Sequence, residues 1–305
     1  MLDQQQIEFY REQGYLLVED VIDAPMLARL REATDQMIER SRTVSESDAV
    51  FDLDEGHSTQ QPKLTRIKAP HLNVPGFDEV LQAPRIKAVL QALLGPVVRL
   101  QTTKLNTKAP GGGAAVEWHQ DWAFYPHTND DLLAIGLILD DVDEANGPLM
   151  VIPGSHKGPT LDHMRNGVFA GAVDPADPDF DMAKAVTLTG RAGSMSIHHV
   201  RLLHGSAPNR SDRARLICFY ELAAGDAWPL AGSSTAVAGM NQQQVWDWIG
   251  RNTYYGPPSA SPRLAPVPAR LPLPPAPDSG SIFKIQKSAG AVSAFGRQPH
   301  REDAA

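Results

Sequence analysis

The sequence contains a single cysteine, Cys218, in 305 residues. One cysteine excludes a disulfide bond within the chain, and such sparing use is typical of proteins in a reducing compartment. A chain of this length can bury a full hydrophobic core without covalent cross-links. We therefore expect a cytoplasmic protein.

Long runs of one residue type are also missing. No long basic run is present, and 28 lysines and arginines against 36 acidic residues give a formal charge of 28 − 36 = −8, which disfavours nucleic acid and anionic membranes as partners. No stretch of about 18 uninterrupted apolar residues occurs, so we expect no membrane span. The N-terminal residues lack the basic cluster and apolar run of a secretory signal. A small molecule is the expected partner, and the oligomeric state stays open.

The sequence does contain a change of hydrophobic period near residue 96. Before it, apolar residues recur at helical spacing, and Asp3, Asp23 and Pro84 are each placed to begin a helix. From Val97 to Leu222, short segments with period 2 are separated by turn residues. This pattern predicts a mainly β fold with flanking helices and a double-stranded β-helix core, the jelly roll that is also found in cupins.

We expect one domain over residues 1–305, with four parts. Residues 1–95 form a helical N-terminal flank, and residues 96–222 form the jelly-roll core. Residues 223–284 form a flank rich in aromatic residues and proline, either packed against the roll or closing over a substrate as a lid. Residues 285–305 are expected to be a frayed tail.

A histidine and an aspartate two residues apart, His119 and Asp121, are the first candidates for chemistry. On a β-strand both side chains leave the same face, so no turn is needed to bring them together. A histidine from another strand, among His198, His199 and His204, would complete a 2-His-1-carboxylate set, which suits ferrous iron and leaves one face of the ion open. The triplet alone is weak evidence, because ten histidines make it a common chance pattern.

Further motifs strengthen this interpretation. In order along the chain they are His119-Gln120-Asp121, Asn146-Gly147-Pro148-Leu149, Pro153-Gly154-Ser155-His156-Lys157-Gly158, and Leu203-His204-Gly205-Ser206 followed by Arg215. In order and spacing they resemble the phytanoyl-CoA dioxygenase family of iron- and 2-oxoglutarate-dependent oxygenases. The resemblance covers roughly residues 5–222. It implies Fe(II), 2-oxoglutarate as co-substrate and O2.

The resemblance also implies roles for particular residues. His119, Asp121 and His204 match the metal ligands, and His199 matches a structural histidine of the family. Arg215 matches the arginine that binds the distal carboxylate of 2-oxoglutarate, because a guanidinium can make two parallel hydrogen bonds to it. Arg213, with the same strand parity, is the alternative. Further residues correspond to positions near the co-substrate, namely Ser206, Asn106, Thr103, Arg66 and Lys68.

Four aromatic residues near the metal motif predict a partly apolar substrate pocket, suited to a lipid, a terpenoid or another small natural product. They are Trp118, Trp122, Phe124 and Tyr125.

The expected reaction is hydroxylation of an unactivated carbon, with release of succinate and CO2. The same cofactors can also support desaturation, epimerisation or ring formation, which the sequence does not separate from hydroxylation. Two other classes stay open: a cupin-like hydrolase or isomerase that uses a metal without oxygen, and a non-catalytic jelly roll that binds a metabolite.

Overall fold

Antiparallel strands make up the centre of the protein. The computed structural model describes residues 2–111, 115–234 and 236–296. In these residues the strands are β1 (Tyr15–Val18), β2 (Phe51–Leu53), β3 (Leu64–Lys68), β4 (Val98–Lys108), β5 (Val116–His119), β6 (Leu132–Ile138), β7 (Leu149–Val151), β8 (Met164–Arg165), β9 (Val168–Phe169), β10 (Val186–Leu188), β11 (Met195–His199), β12 (His204–Ser206), β13 (Arg215–Ala224) and β14 (Thr253–Tyr255).

The strands form two main sheets. The larger sheet has the order β1-β11-β6-β13-β4-β3-β2, and β14 also pairs with β4. The smaller sheet has the order β10-β7-β12-β5, while β8 and β9 form a separate hairpin. Neighbours in each sheet are mostly distant in sequence, as in a jelly roll. The predicted mainly β fold with a jelly-roll core is confirmed.

Helices flank the sheets, and three of them begin at the positions that Asp3, Asp23 and Pro84 predict. They are α1 (Gln4–Gln13), α2 (Ala24–Arg40), α3 (Pro70–Asn73), α4 (Pro84–Leu94), α5 (Gln242–Asn252) and α6 (Ile282–Ser288). The Asp3 side chain accepts a hydrogen bond from the Gln6 backbone at 2.8 Å and caps α1. Gly14 ends that helix at φ +80°, a conformation that favours glycine, and a Cβ there would also collide with His156.

The two faces of the larger sheet have different roles. On β13, Leu216, Cys218 and Tyr220 belong to the main apolar core together with residues of α2 and α4. The alternate residues of β13 point away from that core, and Arg215 and Phe219 line an internal cavity. Because side chains alternate along a strand, one face holds the helices and the other faces the smaller sheet. None of the helices in the described residues is long and apolar enough to cross a membrane.

The C-terminal part differs from the expected frayed tail. Residues 282–288 form α6, and Ile285 is buried in an apolar cluster with Phe169. The Gln286 side chain accepts from the Glu117 backbone N–H at 3.1 Å and donates to the Gly171 carbonyl at 2.9 Å. These contacts hold the helix against β5, which simple periodicity in a seven-residue segment could not reveal. Residues 297–305 of the predicted tail lie outside the described residues.

Substitutions in α6 test whether this helix is part of the folded core. Ile285→Ala should lower the free energy of unfolding by about 2–4 kcal/mol, because it leaves a cavity in a packed cluster. Gln286→Ala should cost about 1–3 kcal/mol, because the buried Gly171 carbonyl and the partly buried Glu117 N–H lose their partner. Chemical denaturation measures both effects. Lys287→Ala is the control, since that side chain is 76% exposed and should leave stability unchanged; equal stability of all three variants would show that α6 is not packed.

Candidate active site

His119 and His204 lie directly opposite each other on the paired strands β5 and β12. The Nδ1 atom of His119 lies 2.8 Å from the Glu117 carbonyl, and that of His204 lies 2.9 Å from the Leu202 carbonyl. A carbonyl only accepts hydrogen bonds, so each Nδ1 carries the proton and each Nε2 has a free lone pair. Those Nε2 atoms lie 3.6 and 3.9 Å from the same carboxylate oxygen, Oδ1 of Asp121.

Asp121 reaches the histidines from a turn rather than from the strand that its spacing predicted. Strand β5 ends at His119, and a 3-10 helix covers Asp121–Ala123. Gln120 between them keeps an extended backbone (φ −119°, ψ 126°), so His119 and Asp121 still share one side of the chain. The Gln120 side chain donates to the Arg201 carbonyl at 2.8 Å, which anchors the turn beside the strand that carries His204.

The donor set fits a metal ion. The ligand atoms of His119, Asp121 and His204 all lie within 4.8 Å of one another, and the three side chains are buried. Burial alone would raise the pKa of the Asp121 carboxyl, but the neighbouring His204 and the other histidines hold it well below its usual range. Burial also lowers the pKa of His204 well below its ordinary value. An ionised carboxylate and a neutral imidazole are the forms that bind a metal, and two histidines with one carboxylate suit ferrous iron.

The neighbouring histidines of β11 point in opposite directions. His198 faces the site: its Nε2 lies 3.5 Å from Oδ2 of Asp121, and neither ring nitrogen makes a hydrogen bond within the described residues. His199 faces away, packs 5.0 Å from the His156 ring and accepts a hydrogen bond from the Arg201 backbone. The sequence named His198 only as an alternative to His204 for the third ligand and not as a further residue of the site; its inward parity on β11, opposite to that of Ile197 in the core, is the signal that identifies it.

A small cavity beside the triad is lined by residues from both sheets. Among its polar residues are Asn106, Ser206 and Arg215, three of the residues expected near the co-substrate. Arg215 is buried, whereas Arg213 is largely exposed and pairs with Asp143 on the surface. The geometry therefore places Arg215 rather than Arg213 beside the metal triad.

A larger cavity of about 590 Å³ adjoins the first, and both are lined by Lys104, Asp121 and Ile282. The other three residues expected near the co-substrate, Arg66, Lys68 and Thr103, line this larger cavity. Arg66 and Lys68 lie on β3, two strands away from Arg215 on β13, whereas Thr103 lies on β4, which pairs directly with β13.

The four aromatic residues expected around the substrate separate into two pairs. Phe124 and Tyr125 line the larger cavity. Trp118 stacks on Phe295 with ring centroids 6.1 Å apart, and the Trp122 indole donates to the Pro268 carbonyl at 2.9 Å. Neither tryptophan is among the described residues that line the two cavities, so their placement favours packing of the C-terminal segment.

A jelly roll that brings two histidines, one carboxylate and a buried arginine to a single internal site is characteristic of the iron- and 2-oxoglutarate-dependent oxygenases. The profile of the phytanoyl-CoA dioxygenase (PhyH) family matches residues 10–217. The chain belongs to this family, and it is an iron- and 2-oxoglutarate-dependent dioxygenase.

Relatives with assigned activities support this membership. A probable alpha-ketoglutarate-dependent hypophosphite dioxygenase of Stutzerimonas stutzeri is 35% identical over 94% of this chain and 98% of its own length. An L-proline trans-4-hydroxylase of Streptomyces griseoviridis is 31% identical over 64% of this chain and 85% of its own. EctD from S. alaskensis, solved with 2-oxoglutarate and 5-hydroxyectoine, shares the fold with a TM-score of 0.63 at 22% identity, over 88% of each chain.

Metal binding should distinguish the three neighbouring histidines. His204→Ala should abolish binding of one ferrous ion, because it removes a ligand of the buried triad. His198→Phe should retain it, since His198 lies outside the set of atoms within 4.8 Å. His199→Phe, the matched control on the opposite face of β11, should also retain it. Anaerobic titration with Fe(II) measures all three; retention by His204→Ala with loss in His198→Phe would exchange the two roles.

Proposed function

We propose that this protein hydroxylates a small anionic molecule that binds in the larger cavity, beside a ferrous ion held by His119, Asp121 and His204. A volume of about 590 Å³ lies within the roughly 300–1,000 Å³ of small-molecule sites. Asp121 is on the wall of this cavity, so a substrate there would lie next to the open face of the ion.

The charge of the lining carries the proposal. The charged groups that line the cavity are four cations and two acids, namely Arg66, Lys68, Lys104, Arg251, Asp121 and Glu221. Asp52 pairs with Arg66 at 2.6 Å and with Lys68 at 2.9 Å, and Glu221 pairs with Lys104 at 2.6 Å. A bound metal ion would neutralise Asp121. Positive charge is then in excess, which favours an anion over the lipid-like substrate that the aromatic residues of the sequence suggested.

The residues of the smaller cavity suit 2-oxoglutarate. We propose that Arg215 binds its distal carboxylate with two parallel hydrogen bonds and that Ser206 donates a third. Asn106 has a buried Oδ1 without a hydrogen-bond partner among the described residues, and its amide lines the same cavity. When bound, iron and 2-oxoglutarate supply the oxidising chemistry, with release of succinate and CO2. Ile282, which lines both cavities, helps to exclude water from the site.

Oxidation of hypophosphite is a second candidate. The relative from Stutzerimonas stutzeri supports it, because its similarity extends over 94% of this chain. Hypophosphite has the expected negative charge. It is smaller than an amino acid, however, and the cavity has room for an organic phosphonate or carboxylate.

We also propose that the chain acts as one oxygenase domain in the reducing cytoplasm. Strand β1 of the N-terminal flank pairs with β11, and β14 of the C-terminal flank pairs with β4, so both flanks extend the sheet of the core. The single cysteine, Cys218, is buried and needs no oxidising environment.

Succinate formation from 2-oxoglutarate tests the proposal. With Fe(II) and O2, small anions such as hypophosphite, short phosphonates and short carboxylates should stimulate succinate release, and mass spectrometry should detect one added oxygen atom in the product. Arg251→Met should raise KM for the anion severalfold, up to about tenfold, because it removes one partly solvated charge from the lining.

Arg29→Met is the matched control, because Arg29 pairs with Glu79 at 3.9 Å on the surface of α2 and is absent from both cavity linings. Stimulation by neutral or lipid-like molecules but by none of the anions would contradict the assignment of substrate class. A desaturated or cyclised product would keep the cofactors and change the reaction.

A further inference from the structure

Two buried cations face each other across the strands that border the smaller cavity. Arg215 on β13 and Lys108 on β4 are direct partners in the antiparallel register, so their side chains leave the same face of the sheet. Both are buried, with 2% of each residue exposed. Like charges directly opposite on a sheet are destabilising, and burial increases that cost because water no longer screens them. Such a pair therefore indicates that an anion binds nearby.

The nearest carboxylates do not neutralise this pair. Glu117 influences Lys108 and Asp140 influences Arg215, but neither forms an ion pair within 4 Å of its cation in the part of the chain that the structure describes. Glu117 accepts a hydrogen bond from the Ala294 backbone at 3.0 Å. Asp140 lies 3.7 Å from Arg31 and accepts from the Leu216 backbone. Burial and mutual repulsion accordingly lower the pKa of Lys108 well below its ordinary value. An anion bound beside the pair would act in the opposite direction and favour the ammonium form.

The Lys108 side chain contacts Ser206. Its ammonium donates to the Ser206 hydroxyl oxygen at 2.8 Å, to the Ser206 carbonyl at 3.3 Å and to the Ala207 carbonyl. Because that hydroxyl oxygen accepts from Lys108, its own hydrogen is left to point elsewhere, and Ser206 lines the cavity. Gly147 leaves room for this arrangement, since a Cβ there would lie 3.0 Å from Lys108 Cδ and 2.6 Å from the Ala207 oxygen.

We propose that Lys108 is a positioning residue for the co-substrate: it turns the Ser206 hydroxyl toward the distal carboxylate of 2-oxoglutarate and adds a second positive charge beside Arg215. This inference rests on the proposed co-substrate site. It also explains the glycine in the Asn146-Gly147 turn, which leaves space for the Lys108 side chain. Lys108 was absent from the residues that the sequence suggested, because its role depends on contacts with residues about 100 positions away.

The proposal predicts a selective effect on 2-oxo acids. A 2-oxo acid without a distal carboxylate, such as 2-oxobutanoate, cannot use Ser206, Arg215 or Lys108. Loss of Lys108 should therefore weaken binding of 2-oxoglutarate and leave binding of 2-oxobutanoate unchanged. A structural defect would weaken both, because it would disturb the metal site that the two acids share.

The experiment is an anaerobic titration of the full-length protein, loaded with Fe(II), with each acid, followed by the visible charge-transfer band. Lys108→Met, which keeps the length and removes the charge, should raise Kd for 2-oxoglutarate about tenfold, as expected for one lost charge-assisted hydrogen bond. Lys108→Arg should restore part of the affinity. In a double-mutant cycle, Ser206→Ala should add little to Lys108→Met, because the lysine acts through that hydroxyl.

Arg213→Met is the matched control, because this exposed arginine of the same region pairs with Asp143, and it should bind both acids like the wild type. Equal affinity of Lys108→Met and the wild type for 2-oxoglutarate would overturn the inference. So would an equal loss for both acids, with circular dichroism confirming that the variant is folded. If the wild type itself shows no band with 2-oxoglutarate, the proposed function fails instead. Should Lys108→Met not fold, Lys108→Gln provides the same comparison.

Discussion

The site depends first on the register between β5 and β12. Directly opposite side chains on an antiparallel pair lie about 4.5–5.5 Å apart at Cβ, so pairing His119 with His204 brings two imidazoles within reach of one ion. The carbonyls of Glu117 and Leu202 then aim both Nε2 atoms toward Asp121. A slip of one residue would turn one histidine to the other face of the sheet. Strand pairing in the smaller sheet therefore determines the metal geometry.

The larger sheet carries buried charged side chains near the two cavities. Its inward face carries Arg215 and Lys108 at one place and the Lys104–Glu221 pair at another. Burying charge costs free energy unless a partner compensates it. Lys104 forms an ion pair with Glu221, whereas neither Arg215 nor Lys108 forms an ion pair within 4 Å in the described residues, where Glu117 and Asp140 act on them only from a distance. In the proposed site, the Lys104–Glu221 pair needs no further partner, whereas the Arg215–Lys108 pair awaits the distal carboxylate of the co-substrate.

The sequence correctly predicted those features that depend only on neighbouring residues. Capping by Asp3 and the stop at Gly14 follow from neighbouring residues, and the inward position of Arg215 follows from strand alternation. Long-range contacts were not predictable in this way. The turn that carries Asp121 is anchored by Arg201 in the turn before β12, and α6 is held by Glu117 of β5; both partners are distant in sequence. The neighbours of Trp118 and Trp122 are likewise set by the C-terminal segment, which has little periodicity of its own.

The position of the cavity residues relative to the family profile bears on which residues determine the reaction and which select the substrate. The family profile ends at residue 217 and includes the candidate iron ligands and Arg215. Arg251 and Ile282, which line the larger cavity, come after that boundary. Because Gln286 fastens α6 to β5, the segment that forms this wall is attached to the same strand that carries His119. The larger cavity therefore combines residues inside the profile, such as Arg66, Lys68 and Lys104, with residues beyond it, such as Arg251 and Ile282. Membership of the family determines the reaction class, whereas the substrate depends on the cavity that both parts of the chain form together.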